Sequence, residues 1–411
     1  MLEGIRVLDM TYFIAGPVGT QVLADMGAEV IKIEGPFAAA RTQILQGATE
    51  DGVGQQVLVG WPGFSHLNRN KKSAVLNLTK PEGKALFMDL VLISDVVVEN
   101  YSLRVMRNFG LEYADLKKVN PGIILISMPG YGREGPYKEY PSWGETIEST
   151  AGLTNLTGYA DGPPMRSAIY MPDPLTGMHG ALAAIVCLNQ RNSTGEGQHV
   201  TLSHLECATQ LTGEAILDVA MNSRTQVREG NRHASHAPHS IYPCQGDDEW
   251  IAIAVGADEE WNALCNVIGN LPWTRLPEFE DAPSRYSNQE TLDQYISKWT
   301  EQYAKYDLMN RLQAEGVPAG AVLNARDLVS DPHLVERNYF WEYGETLPDG
   351  PEFPFPGGRA RYEGSPEKVM MRAPAFGEHN AFVLGDLLCL SKEQIEHLRN
   401  LEVTVDILDK L

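Results

Sequence analysis

The chain has 411 residues, 43% of them hydrophobic and 21% charged, an ordinary globular balance with apolar material for two sizeable cores. Its 33 basic and 54 acidic residues leave a formal charge of −21, which argues against a nucleic-acid surface and means that any anionic ligand needs a local cluster of positive charge. No apolar run reaches membrane-spanning length and the chain opens directly on a strand pattern, so we expect a cytoplasmic protein without a membrane span or signal peptide.

Leu2-Glu3-Gly4-Ile5-Arg6-Val7-Leu8-Asp9 predicts a strand, Ala15-Gly16-Pro17 opens a helix that Gly27 ends, and Glu29–Glu34 is the next strand. This is a βαβ unit of mononucleotide-binding size. Only Gly16 and Gly19 fit a Gly-x-Gly-x-x-Gly pattern, so a nicotinamide dehydrogenase is disfavoured. The helix start still offers the amides of Ala15 and Gly16 to an anion or a carbonyl oxygen; the alternative is a plain strand-to-helix turn. Arg69, Lys71 and Lys72 form the densest positive cluster of this half. They read either as a solvated turn or as a phosphate contact. Strands are predicted at Ser73–Leu78, Asp95–Glu99 and Ile123–Ser127, with a helix from Pro81 to about Ile93. Continuous apolar strands alternating with helices predict a parallel sheet covered on both faces.

Asp173 stands where a loop enters a long helix rich in Ala and Gly that runs to about Arg191. Asp-Pro is a common helix start, with Asp capping free amides and Pro in the first turn, so the peptide by itself allows a plain N-cap. A strand at Gln198–Leu202 and a second long helix over about 203–221 follow.

From about residue 225 the pattern changes. The polar stretch 222–240 carries His233, His236 and His239; without a carboxylate or cysteine placed to complete a shell, these predict surface or ligand-contact residues rather than a metal site. A hairpin (Ile241–Cys244, Trp250–Val255), short helices and a strand at Pro318–Leu323 make a smaller domain over 225–330. The stretch 343–375 is rich in Pro and Gly and reads as extended, and 378–411 as helical. The five cysteines are scattered, odd in number and without metal-ligand spacing, as expected of reduced thiols.

Taken together, several short motifs resemble the class III CoA-transferase family, which includes the formyl-CoA and carnitine CoA-transferases. They are Leu2–Asp9 with Ala15-Gly16-Pro17, Gly27–Glu34, Asn68-Arg69-Asn70-Lys71-Lys72, Glu99-Asn100-Tyr101, Gly130-Tyr131-Gly132 with Gly135-Pro136-Tyr137, Asp173 with Gly177, and Gly195-x-Gly197-Gln198. Each is weak alone; their order and spacing carry the resemblance over nearly the whole chain. Gly230-Asn231-Arg232-His233 and Tyr242-Pro243-Cys244 are similar to the branch that acts on aryl- or alkylsuccinates, such as the succinyl-CoA:benzylsuccinate CoA-transferases.

The resemblance implies an α/β fold: a Rossmann-like large CoA-binding domain (1–224), a small domain (225–330) and a C-terminal segment (331–411) returning to the large one, in a dimer of interlinked rings. It implies Asp173 as nucleophile, acyl oxygen binding around Ile14, Ala15 and Gly16, and CoA binding by Arg69, Lys71, Lys72, Asn100, Tyr101, Arg107 and Tyr131. It implies no metal and no cofactor beyond CoA as substrate. Partners would be a CoA thioester, a carboxylic acid, and a second identical or paralogous subunit. Ile14 stands where some relatives carry a polar side chain, Asn108 where many carry a basic one, and the small domain lacks the glycine run of formyl-CoA transferases. Ile14 and the missing glycine run point to a larger, more apolar acyl group, while Asn108 makes Arg107 a weaker CoA-binding candidate. An α-methylacyl-CoA racemase, sharing the fold, needs a second acid/base; Ser142-Trp143-Gly144-Glu145 supplies no histidine there, only Glu145. A non-catalytic subunit of a heteromeric enzyme is the other alternative.

Overall fold

The computed structural model describes residues 1–36, 62–341, 355–357, 363 and 371–405. Its described residues divide into two compact units. The first takes in the chain to Thr154, Arg166–Thr225 and the described residues from Asn338 onward; the second takes in Asn155–Met165 and Gln226–Arg337.

The first unit is built on six parallel strands: β1 (Arg6–Asp9), β2 (Glu29–Glu34), β3 (Lys71–Val75), β4 (Val96–Glu99), β5 (Ile124–Ser127) and β6 (His199–Thr201). Their order is β3-β2-β1-β4-β5-β6, so the winding reverses between β1 and β4, the place where open α/β sheets leave a crevice at the strands' carboxyl ends. Alternation along the strands sorts the core into two layers. Val7, Val30, Val96, Val98 and Ile124 point to the face covered by α1 (Ala15–Asp25), while Leu8, Ile31, Val97 and Leu125 point to the face where Phe87 and Leu90 of a helix over Pro81–Leu92 pack. Val383, Leu384, Ile395 and Leu398 join this second layer. The C-terminal segment thus completes the cover over the first strands, and each fully buried Leu or Phe in it is worth about 2–3 kcal/mol of apolar transfer.

Element boundaries differ from the sequence reading at several points; of the stretch 378–411 read as helical, Phe382–Leu387 and Lys392–Asn400 are helical among the described residues. The third strand begins at Lys71, because Val30 pairs with Lys71 and Ile31 with Lys72; two of the three clustered cations, read as a solvated turn or a phosphate contact, are therefore within the sheet. The helix expected over 203–221 is interrupted by a tight turn at Gln210–Thr212, where Thr212 donates its hydroxyl to the carbonyls of Ala151 and Thr209 and Gly213 follows. Most of the Pro- and Gly-rich stretch 343–375 lies outside the described residues.

The second unit holds an antiparallel sheet, β7 (His239–Pro243), β8 (Trp250–Ala254) and β9 (Ala319–Ala321), in that order. Tyr242, Ile251 and Ile253 pack with Trp261, Phe279, Leu292 and Trp299 from the surrounding helices. No helix among the described residues is long and apolar enough to cross a membrane.

Candidate active site

Asp173 lies in the first turn of a 23-residue helix, Pro172–Thr194 (α2). The position before the helix is Met171, already helical in backbone, so Asp173 is not the N-cap that the peptide also allows. Its carboxylate is nine-tenths buried. Oδ1 faces the imidazole of His204, with Nδ1 at 3.5 Å. Oδ2 faces Gly144, where a built β-carbon would stand 3.2 Å away.

Glycines set the position of this carboxylate. One turn past Asp173, Gly177 lies against the carbonyl of Ala15 in α1, and Gly19 lies against the carbonyl of Gly177. The start of α1 is thereby locked beside the first turns of α2. The first ladder bond of α1 runs from the Val18 amide to the Ile14 carbonyl at 2.9 Å. The amides of Ala15 and Gly16 precede that ladder and have no acceptor within the helix. Gly16 packs on Thr11 so tightly that a β-carbon would come within 2.2 Å of it, so the two glycines of the incomplete dinucleotide pattern serve close packing. Ile14 is half-buried, and the preceding Phe13, in left-handed conformation, meets Trp143 edge-to-face at 4.9 Å. Trp143 directly precedes Gly144. An aromatic pair therefore stands beside the glycine that Asp173 faces.

A buried polar network fixes the turn between β1 and α1. Asp9 accepts from the Thr11 amide and hydroxyl, from Thr20, and from Lys71 at 2.9 Å, with Lys32 at 4.0 Å. Burial alone would raise the Asp9 pKa, but Lys32, Lys71 and the Thr11 hydroxyl hold it well below the usual carboxylate range. Burial outweighs Asp9 at Lys71 and brings that ammonium down to about 8. Arg69 is fully buried, its guanidinium forked onto Asp25 at 2.6 and 3.1 Å and donating to the Pro356 carbonyl. Two of the three clustered cations thus sit in the interior, engaged by acids. Lys72 is a quarter exposed, 3.2 Å from Glu29 and over the ring of Phe382. Arg107 is more exposed, 3.9 Å from Glu112.

Asn100 follows β4 and clasps the backbone of Tyr12, accepting from its amide and donating to its carbonyl. Tyr101 packs against Tyr12, and burial pushes its phenol well above the ordinary range. Tyr131 follows β5 and meets Tyr137 and Tyr140 edge-on, while packing near Ile147 and Leu205. All these groups stand at the carboxyl ends of β1, β4 and β5. In the second unit, His233 stacks on His236 at 4.0 Å and both meet His239 at a tilt, with centroids 5.3 and 6.2 Å away, and no His, Cys, Asp and Glu group among the described residues is arranged to hold a metal ion. His204 was not foreseen. The available signal was Ser203-x-x-Glu206 after a strand, a helix-start pattern that the structure realises, with the Ser203 hydroxyl accepting from the Glu206 amide at 3.3 Å.

The model of CoA-transferase family III matches residues 2–380. The chain belongs to CoA-transferase family III. It is 34% identical over 402 residues to the succinyl-CoA–D-citramalate CoA-transferase of Chloroflexus aurantiacus, covering 97% of this chain and 96% of that protein. It is 30% identical to the succinate–glutarate CoA-transferase of Agrobacterium fabrum, covering 94% and 95%. The crystal structure of a CAIB/BAIF family protein from Brucella suis has TM-score 0.83 at 28% identity, covering 94% of this chain and 99% of that one. The family membership makes the chain an enzyme, a class III CoA-transferase with CoA thioester and acid substrates.

Proposed function

We propose that this CoA-transferase moves CoA from succinyl-CoA to a substituted dicarboxylic acid, with an aryl- or alkylsuccinate such as benzylsuccinate as the leading acceptor and Asp173 as the covalent nucleophile. The observation that carries the mechanism is the buried Asp173 carboxylate, held at a glycine-packed helix crossing with one oxygen toward a position that has no side chain. A carboxylate attacking a thioester gives a mixed anhydride and CoA thiolate; thiolate attack on the anhydride gives an aspartyl-CoA thioester, and the acceptor acid reverses the sequence. The amides of Ala15 and Gly16 are the donors for the acyl oxyanion. Ile14, Phe13 and Trp143 supply an apolar wall, which supports an acceptor with a hydrocarbon substituent over a formyl or oxalyl group. The relatives named for D-citramalate and glutarate support the dicarboxylate class.

CoA is bound in this reading by Lys72, Arg107, Asn100, Tyr101 and Tyr131, with Arg69 and Lys71 holding the frame beneath them. No group besides CoA is required. The enzyme is read as a cytoplasmic dimer of interlinked rings, homomeric or with a paralogous subunit, its interface well above the roughly 1,600 Å² of standard complexes. A racemase is disfavoured on geometry. Glu145 pairs with Arg166 at 3.4 Å, and the imidazole beside Asp173 is too close to it for an α-carbon to stand between two bases.

Incubation with succinyl-CoA, followed by hydroxylamine and peptide mass spectrometry, is expected to mark the Asp173 peptide, and Asp173→Asn to lose turnover by several orders of magnitude while staying folded. An adduct elsewhere, or near-normal transfer by Asp173→Asn, overturns the mechanism. The same assay across a panel of carboxylic acids identifies the acceptor; a preference for formate or oxalate over substituted succinates overturns that assignment.

A further inference from the structure

His204 opens the helix His204–Thr209 directly after β6, and its imidazole is nine-tenths buried. Nδ1 faces Asp173 Oδ1 at 3.5 Å. Nε2 is buried with no hydrogen-bond partner among the described residues. Together these facts place a hydrogen on Nδ1. The tautomer with hydrogen on Nε2 would turn a bare nitrogen toward the carboxylate and bury an N–H with no acceptor among the described residues, whereas a hydrogen on Nδ1 points at Asp173 Oδ1. The hydrogen therefore sits on the nitrogen that faces Asp173.

We propose that His204 is a catalytic hydrogen-bond donor, stabilising through Nδ1–H the oxyanion that forms on Asp173 Oδ1. This rests on Asp173 being the nucleophile. In the first step Oδ2, the oxygen facing Gly144, attacks the donor's thioester carbonyl; the C–S bond breaks and CoA leaves as thiolate. The thiolate sulfur then attacks Cγ of Asp173. As the S–Cγ bond forms, the Cγ–Oδ1 π pair moves onto Oδ1. Collapse restores that double bond and breaks Cγ–Oδ2, releasing the donor acid as carboxylate. The acceptor carboxylate later attacks the same carbon and raises the same charge on Oδ1. No proton moves in any step, so a neutral imidazole suffices throughout.

The 3.5 Å separation is longer than a formed hydrogen bond of about 2.7–3.2 Å. Catalytic contacts of this kind shorten when charge develops. A donor that engages Oδ1 more strongly as an oxyanion than as a resting carboxylate lowers the barrier rather than stabilising the ground state. Ser203, capping this helix, and the start of α2 hold the two partners from separate elements, so the geometry does not depend on one loop.

The test is rapid-quench mass spectrometry of the Asp173–CoA thioester formed from succinyl-CoA, in wild type and in His204→Phe, His204→Asn and His204→Gln. Phe keeps a ring and removes the donor; thioester formation and kcat are expected to fall by about 10²–10³, with CoA affinity unchanged. Asn places an amide N–H near the Nδ1 position and is expected to recover at least about tenfold over Phe, while Gln, reaching toward the Nε2 position, does not. A Phe variant within about threefold of wild type, or Gln recovering as well as Asn, overturns the proposal. If the Phe variant loses its circular-dichroism signature of folding, the Asn and Gln comparison decides. Failure of the nucleophile reading looks different: wild type itself then shows no adduct on the Asp173 peptide.

Discussion

A methyl group on Gly177 would stand 2.2 Å from the carbonyl oxygen of Ala15. The obstacle is backbone, which cannot swing aside, so the start of α1 and the turn after Asp173 are held at a separation that only glycine allows. Gly177→Ala is therefore expected to cost about 1–3 kcal/mol of stability through overpacking. It should also lower turnover more than CoA affinity, because it displaces Asp173 relative to the Ala15 and Gly16 amides. Denaturant melts paired with steady-state kinetics check both; an unchanged melt shows that the crossing has slack.

Gly144→Ala separates chemistry from folding. Its β-carbon would meet Asp173 Oδ2 and the Tyr170 β-carbon at 3.2 Å each, a tight contact that small shifts relieve. Stability is expected to change by less than about 1 kcal/mol, while the added methyl occupies the approach to Oδ2 and reduces thioester formation at Asp173. Quantifying the trapped adduct against wild type is the measurement, and full adduct yield in a stable variant would show that acyl groups approach from another side.

The Asp9–Lys71 pair makes a stability prediction with a definite pH sign. Asp9 has a folded pKa below its free value of 3.8. Its contribution is therefore present above about pH 4 and lost as pH falls through that range toward the lower folded value. Asp9→Asn leaves Lys71 buried without its anion and is expected to cost about 3–5 kcal/mol near neutral pH. Below about pH 4 the gap from wild type should narrow progressively, because the unfolded wild-type chain takes up the proton that folded Asp9 still resists. Thermal melts across pH 2 to 7 test this; a gap that stays constant would place the stabilisation elsewhere.

Arg69 and Lys72 are expected to part company. Arg69→Ala strips Asp25 of a buried two-pronged partner and should cost about 3 kcal/mol of stability. Lys72→Ala, with its charge reaching solvent, should leave the melt nearly unchanged and weaken CoA binding by about 1–2 kcal/mol. Calorimetric titration of CoA into both proteins distinguishes these roles. Normal CoA affinity in Lys72→Ala removes that residue from the ligand path.

His199 adds a milder pH dependence. It lies on β6 with Ser127 at 2.9 Å, and burial, helped by Arg133, brings its pKa down from 6.5 to about 4. The unfolded chain takes up this proton first, so stability falls as pH drops from about 6.5 toward 4. His199→Gln is expected to flatten that part of the profile, read as melting temperature against pH; an unaltered slope assigns it to other groups.

Strands β1, β2, β4 and β5 and the helix carrying Asp173 were legible in the sequence because their signals are local. Apolar runs such as Val96-Val97-Val98 fit strands buried on both faces, and Asp-Pro followed by small residues marks a helix start. The wider motif spacing likewise carried the family, since it preserves the order of turns at the sheet's carboxyl edge. Burial of charge was not legible. Arg69 and Lys71 look alike on paper whether they face water or an internal acid, and Asp25 and Asp9 reach them only when β3 pairs with β2 and α1 folds over the sheet. His204 likewise meets Asp173 only because β6 delivers it to the first turn of α2. Periodicity and turn chemistry report on neighbours along the chain; which oxygen of a carboxylate meets which nitrogen is decided by tertiary packing alone.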